Sequence, residues 1–131
     1  VWVGILDINT GVMTCSNAGH EFPAIRRKGG QFELFQDTHG LVLGAMDGIP
    51  YKEYEIQLEE GDELFVYTDG VPEATDAMNE LFGTDRMLAA LNKSERDCKD
   101  ILACVKNDVA EFVGEAEQFD DLTMLAMRYK R

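Results

Sequence analysis

Alternation of apolar and polar residues dominates the first half of the chain. KEYEIQLEE places its apolar side chains on one face and its acids on the other, which predicts a half-buried strand. WVGILDI and VMTCS flank Asn9-Thr10-Gly11, and AIRRK and QFELF flank Gly29-Gly30, so both pairs are typical of hairpins. ELFVYT is apolar almost throughout and predicts a central strand covered on both faces.

A helical period replaces the alternation in the second half. Thr84 is a candidate N-cap for a helix over DRMLAAL. From about Asp97 to Gly114, apolar residues recur at intervals of three and four, which predicts a long amphipathic helix. LTMLAMRY is β-compatible and predicts another central strand. Strands followed by a helical pair and one returning strand indicate an α+β fold with helices packed on a sheet.

Composition restricts the classes of function. The 131 residues fit one domain, and 45% hydrophobic residues supply a core. A net charge of −13 argues against a nucleic-acid partner. No apolar run approaches the roughly 20 residues that span a bilayer, so we expect no membrane contact by this segment. The cysteines, at no metal-site spacing, indicate reduced, structural thiols and a cytoplasmic location. Val1 has no methionine before it and opens on a strand in progress, which we interpret as the start of a fragment.

Carboxylates stand at the ends of two predicted strands. Asp69 and Gly70 follow LFVYT, while Asp120 and Asp121 precede LTMLAM. If these strands were antiparallel neighbours, the acids would meet at one rim and repel unless a cation neutralised them. Oxygen ligands of this kind suit Mg²⁺ or Mn²⁺. The residues alone leave open the alternative that Asp69 simply begins a turn.

Three motifs in a fixed order carry a resemblance to a known family. They are NAGHEFPAIRR (17–27), YTDGVPEATDAMNELFG (67–83) and FDDLTMLAMR (119–128). Each is short, but together they resemble the SpoIIE-like branch of the metal-dependent PPM-type serine/threonine phosphatases. The resemblance spans nearly the whole chain.

The resemblance implies an αββα sandwich of mainly antiparallel sheets with a two-metal site for Mn²⁺ or Mg²⁺. Asp69 and Asp120 match metal-ligand positions of the family. Asp121 matches a neighbouring position that orients a ligand, and Gly70 permits close approach beside Asp69. The family also carries, upstream, an Asp that bridges both metals, and this sequence has no counterpart to it. Residues 1–131 are therefore expected to be the C-terminal portion of one phosphatase domain, incomplete at the N-terminal side.

Several other residues remain open to two interpretations. His20 in NAGH contacts substrate or orients a ligand, or it is a structural histidine that fixes the turn. The basic run from Arg26 to Lys28 meets a phosphorylated substrate or is a solvated hairpin end. Glu73 and Thr75 are expected to cap a short helix rather than bind metal. His39 is expected to be an exposed loop residue.

The implied activity is hydrolysis of phosphoserine or phosphothreonine on a regulatory protein of the anti-sigma-factor antagonist type. Such a parent protein acts in bacterial signal transduction at the cytoplasmic side, and an upstream sensor or membrane region is compatible with it. The main alternative is a pseudophosphatase or dimerisation module without catalysis. A two-metal phosphodiesterase is weaker because the ordered motifs do not favour it. A cut domain would also expose a strand edge and self-associate.

Overall fold

Two sheets and a helical pair make up the computed structural model, which describes residues 1–36, 39–40, 47–48, 50–117 and 121–130. The first sheet contains β1 (Trp2–Leu6), β2 (Val12–Ala18), β5 (His39–Gly40) and β6 (Glu53–Gln57). β2 pairs antiparallel with β1 and β6, and parallel with β5 at its end. The predicted first hairpin and the half-buried strand β6 are therefore confirmed. His39 lies in β5 by its backbone, not in a loop.

The second sheet has the strand order β4-β3-β7-β8 and is antiparallel throughout. Its strands are β3 (Ala24–Arg26), β4 (Glu33–Leu34), β7 (Glu63–Tyr67) and β8 (Met124–Arg128). The hairpin around Gly29-Gly30 and the central position of β7 are as predicted. The prediction of a central position for β8 is wrong within the described residues, because β8 ends the strand order. Leu125 accordingly has an exposed side chain.

The helices cover one face of the second sheet. They are α1 (Gly83–Leu91) and α2 (Cys98–Val113). Their buried residues, including Met87, Leu91 and Val105, pack with Phe65 and Tyr67 of β7. A separate cluster lies between the sheets and joins residues of β2, β3, β6 and β7. The α+β class and the order sheet, sheet, helices agree with the prediction. None of the described helices is both long and apolar enough to cross a membrane.

The two helices begin differently. In α2 the Asp97 side chain accepts a hydrogen bond from the Asp100 backbone N–H at 2.9 Å, so the predicted start is confirmed. In α1 the N-cap is Phe82, and no side chain caps it. The prediction of a Thr84 cap is therefore wrong. Phe82 is buried in the core, so apolar packing fixes the start of α1 where a polar cap was expected.

β1 is an edge strand with an apolar outer surface. Val1 exchanges hydrogen bonds with Ala18, at 2.9 and 2.7 Å, so alternate residues along β1 turn their backbone groups towards β2. The backbone groups of Trp2, Gly4 and Leu6 consequently face away from β2, and no other described strand pairs with them. Val3 and Ile5 are 49% and 69% exposed. None of the five residues of β1 is charged, whereas natural edge strands commonly carry a protective charge.

The basic run holds the Gly29-Gly30 hairpin to its surroundings. Arg26 pairs with Glu63 at 2.7 Å and donates to the Ser94 carbonyl oxygen at 3.0 Å. Arg27 pairs with Asp62 at 2.7 Å, and the side chain of Asp62 is almost fully buried. Both arginines therefore have structural partners, so the interpretation as a purely solvated hairpin end is too simple.

Asp62 should make stability depend on acid pH. Burial by itself raises the pKa of Asp62, but hydrogen bonds from the Glu59 and Lys28 N–H groups and from Arg27 together hold that pKa below 3.8. The stabilisation is thus present above about pH 4 and is lost as pH falls through the folded-state pKa. We expect Asp62→Asn to lower the free energy of unfolding at pH 7 by about 1–3 kcal/mol.

Urea unfolding at a series of pH values would measure this dependence. The difference between wild type and Asp62→Asn should shrink as pH falls below about 4, because the wild-type carboxyl then becomes neutral. Asp47→Asn, at an exposed turn residue, is the matched control and should have the same urea midpoint as wild type at pH 7. A constant difference between wild type and Asp62→Asn across the acid range would contradict the role given to this carboxylate.

Candidate active site

Antiparallel pairing of β7 and β8 brings the two acidic segments to one rim of the second sheet. Tyr67 at the end of β7 is opposite Met124 at the start of β8. The ladder continues beyond these strands, since the Thr68 N–H donates to the Thr123 carbonyl oxygen at 3.1 Å. The segment containing Asp69 therefore leaves the sheet beside the segment containing Asp121. The neighbouring strands assumed in the sequence argument are found.

Gly70 lies directly against this second segment. A Cβ atom placed on Gly70 would overlap the carbonyl oxygen of Asp121. Gly70 is buried, whereas Asp69 and Asp121 are exposed at the rim. The absence of a side chain at Gly70 thus allows the two backbones to touch, and two carboxylate-bearing residues flank the contact.

The donors described at this rim suit a hard cation but are few. Asp69 and Asp121 supply carboxylate oxygens, the donor type that Mg²⁺ and Mn²⁺ prefer. Asp120, the other predicted ligand, lies outside the described residues. Among the residues that are described, no group of three or more His, Cys, Asp or Glu side chains could hold a metal ion. The carboxylates of Asp69 and Asp121 therefore have the chemistry of metal ligands. By themselves they do not form a two-metal centre.

A tight turn fixes the backbone after Asp69. The Glu73 N–H donates to the Asp69 carbonyl oxygen at 2.9 Å, and the Val71 N–H donates to Thr68 at 3.2 Å. Val71 is fully buried, so the turn is anchored in the core against the helices. The predicted short helix at this place is wrong: the segment is a turn. The Thr75 hydroxyl donates to the Glu73 carbonyl oxygen at 2.9 Å and caps no helix.

His20 lies at the same end of the second sheet. β3 runs antiparallel to β7, so the segment before β3 and the segment after β7 emerge at one end. The His20 N–H donates to the Asn17 side chain at 2.8 Å, and its Nδ1 is 3.1 Å from the Glu21 carbonyl oxygen. Because a carbonyl only accepts, this contact is a hydrogen bond in the tautomer that carries its proton on Nδ1, and in that tautomer Nε2 is an acceptor. The backbone contact fits the structural interpretation, while Nε2 keeps a polar role available.

Tyr67 is a feature of the rim that the sequence argument missed. Its ring is 2% exposed, and its hydroxyl has no hydrogen-bond partner in the described part of the chain. Burial, with the charge of Glu21 nearby, raises the pKa of this hydroxyl, so it stays protonated. Tyrosine hydroxyls usually find a partner when buried. Tyr67, which directly precedes Thr68 and Asp69, thus has a hydroxyl donor without a described acceptor in a buried environment. No local sequence signal indicates this property.

Comparison with known proteins extends the sequence resemblance. The family model for stage II sporulation protein E (SpoIIE) matches residues 1–130. Protein IcfG of Synechocystis sp. is 30% identical over 127 residues, which are 97% of this chain and 20% of IcfG. Phosphoserine phosphatase RsbU of Bacillus subtilis is 29% identical over 121 residues, which are 89% of this chain and 35% of RsbU. The chain thus spans a minor part of either relative.

A solved structure has the same fold. The phosphatase domain of SpoIIE from Bacillus subtilis, presoaked with manganese, superposes with a TM-score of 0.75 at 18% identity. The superposition covers 99% of this chain and 56% of that domain. At this level of identity the likeness concerns the arrangement of strands and helices, and it agrees with the predicted fold class.

Proposed function

The chain belongs to the SpoIIE family, and from this premise we propose that it is a portion of a metal-dependent phosphatase domain. Its parent protein hydrolyses phosphoserine or phosphothreonine on a regulatory protein of the anti-sigma-factor antagonist type. The observation that carries the proposal is the contact between Gly70 and Asp121, because it joins the two acidic motifs at one rim. The named activity of RsbU, a phosphoserine phosphatase, supports the same reaction class.

In this proposal Asp69 and Asp120 hold Mn²⁺ or Mg²⁺ together with groups supplied by the rest of the domain. Such cations lower the pKa of a bound water and neutralise charge that develops on phosphoryl oxygens. Asp121 orients its neighbour, and Gly70 keeps the two segments in contact. The turn from Thr68 to Glu73 holds the Asp69 backbone rigid. We place the protein on the cytoplasmic side.

An interaction module without catalysis is the second candidate, and β1 favours it. The exposed Val3 and Ile5 and the outward backbone groups of β1 form a surface to which another strand could pair. Self-association through this edge is the corresponding expectation for the isolated 131-residue chain. Light scattering over a concentration series would measure it.

Metal removal is the direct test of the phosphatase proposal. The full-length natural protein is expected to release phosphate from phosphoserine peptides in the presence of Mn²⁺. Phosphate release should stop when a chelator is added and resume when Mn²⁺ is restored. The 131-residue chain alone should show negligible turnover, since it holds only part of the proposed ligand set. Circular dichroism would control for unfolding by the chelator. A folded full-length protein with no turnover under any metal would instead favour the interaction module.

A further inference from the structure

A cationic cleft lies at the far end of β7 from Asp69. It encloses about 470 Å³ at the start of the strand. Its cations are Arg26, Lys28 and Arg128, brought together from β3, the following hairpin turn and β8. Arg128 is distant in sequence from Arg26 and Lys28, so only the folded second sheet assembles the cleft. It is separate from the rim that carries Asp69 and Asp121.

Glu63 organises the cleft but does not neutralise it. Its side chain is 6% exposed, and its two oxygens receive Arg26 at 2.7 Å and Arg128 at 2.9 Å. Two guanidinium groups thus face one carboxylate. Lys28 adds a further positive charge, and Glu95 at the margin offsets one. The lining keeps an excess of positive charge in a chain whose net charge is −13.

Two of the cations retain unused donors. Arg128 uses Nη2 to contact Glu63 and the Arg96 carbonyl oxygen, and no described residue accepts from its Nε or Nη1. The Lys28 ammonium forms no ion pair within the described ranges, while its aliphatic stem packs on Gly61. A fixed guanidinium fork and a nearby ammonium match the oxygens of a tetrahedral anion.

Glycines form part of the wall of the cleft. Gly29, Gly30 and Gly61 line it, and a Cβ placed on Gly29 would meet nothing within 4 Å. Without side chains here, a ligand can approach the backbone closely. Arg128 is held by Glu63 and by the Arg96 carbonyl oxygen before any ligand arrives. A guanidinium group that is already fixed lowers the entropic cost of binding an anion.

We propose that this cleft binds phosphate-type oxyanions, either free phosphate or a phosphoryl group on a small ester. The guanidinium of Arg128 and the ammonium of Lys28 donate to the anion, and the glycine wall admits it. Arg26 and Glu63 act as the fixed frame. The site does not depend on the metal rim and can be tested without any assay of turnover.

Amide NMR of the 131-residue chain tests the proposal with inorganic phosphate as the probe. Phosphate titrated at constant ionic strength against chloride should give saturable shifts at Gly29, Gly30 and Gly61. Lys28→Met keeps the stem that packs on Gly61 and removes the charge, and it should weaken phosphate about two- to fivefold. Lys52→Met removes the same charge from an exposed position beside the first sheet and should leave the affinity unchanged.

Three results would overturn the site. They are shifts that stay linear and equal those with chloride, an equal loss of affinity in Lys28→Met and Lys52→Met, and saturable shifts confined to the segment around Gly70. O-phospho-L-serine forms the second arm of the titration. Tighter binding than phosphate identifies an esterified phosphoryl group as the ligand, and weaker binding identifies free phosphate.

Discussion

In the full-length natural protein, Asp69→Asn is expected to lower metal-dependent phosphatase turnover by more than about 100-fold. The substitution keeps the size of the side chain and removes the charge that a cation needs. Asp69 is exposed at the rim and its backbone is held by the Glu73 N–H, so the fold should tolerate the change. Steady-state rates with Mn²⁺ and thermal unfolding of the same samples would separate chemistry from stability.

Two further variants make this prediction specific. Asp121→Asn should be milder, with a loss of about 10- to 100-fold, because an orienting group does not supply the ligand's charge. Asp47→Asn, on an exposed turn, should turn over like wild type. Near-normal rates for Asp69→Asn, or a larger loss for Asp121→Asn than for Asp69→Asn, would show that the roles are wrongly assigned.

Gly70→Ala should destabilise the fold by about 2 kcal/mol or more. The new methyl group would overlap the Asp121 carbonyl oxygen, and backbone atoms on both sides cannot move aside without breaking the contact between Thr68 and Thr123. We expect a lower midpoint in urea unfolding at pH 7. In the full-length protein, the same change should also weaken Mn²⁺ binding because it separates the two acidic segments.

Gly30→Ala is the matched control for that experiment. Its added Cβ would lie 3.3 Å from the Arg27 carbonyl oxygen at an exposed hairpin, so the change should cost less than about 0.5 kcal/mol. Equal midpoints for Gly70→Ala and wild type would refute the close contact at the rim.

Secondary-structure elements that a local pattern determines could be predicted from the sequence. Contacts between residues that are distant in the sequence could not. Alternation and period placed β6, β7 and α2, because those signals arise from one buried face. Nothing in the pattern assigned β6 and β7 to different sheets, since alternation does not identify a strand's neighbour. The start of α1 was misplaced because Phe82 packing outweighs a polar cap.

The candidate site divides in the same way. The sequence identifies Asp69 and Gly70 because a predicted strand ends in Asp-Gly. It gives the antiparallel pairing of β7 with β8 only as a condition, and the structure meets that condition. The contact between Gly70 and Asp121 joins segments that are distant in the sequence, so only the folded structure reveals it. The partners of Arg26 and the isolated hydroxyl of Tyr67 were invisible for the same reason.

The pairing of β7 with β8 also sets an order of assembly. α1 and α2 lie between β7 and β8 in the chain, so the pairing of these two strands closes a long loop. Closing a long loop is slower than forming local structure. A nascent chain that has been synthesised only through α2 already contains Asp69 but lacks the strand that brings Asp121 beside it. Any ligand that requires both segments is therefore excluded until β8 has emerged from the ribosome and docked, which makes the rim a late product of folding.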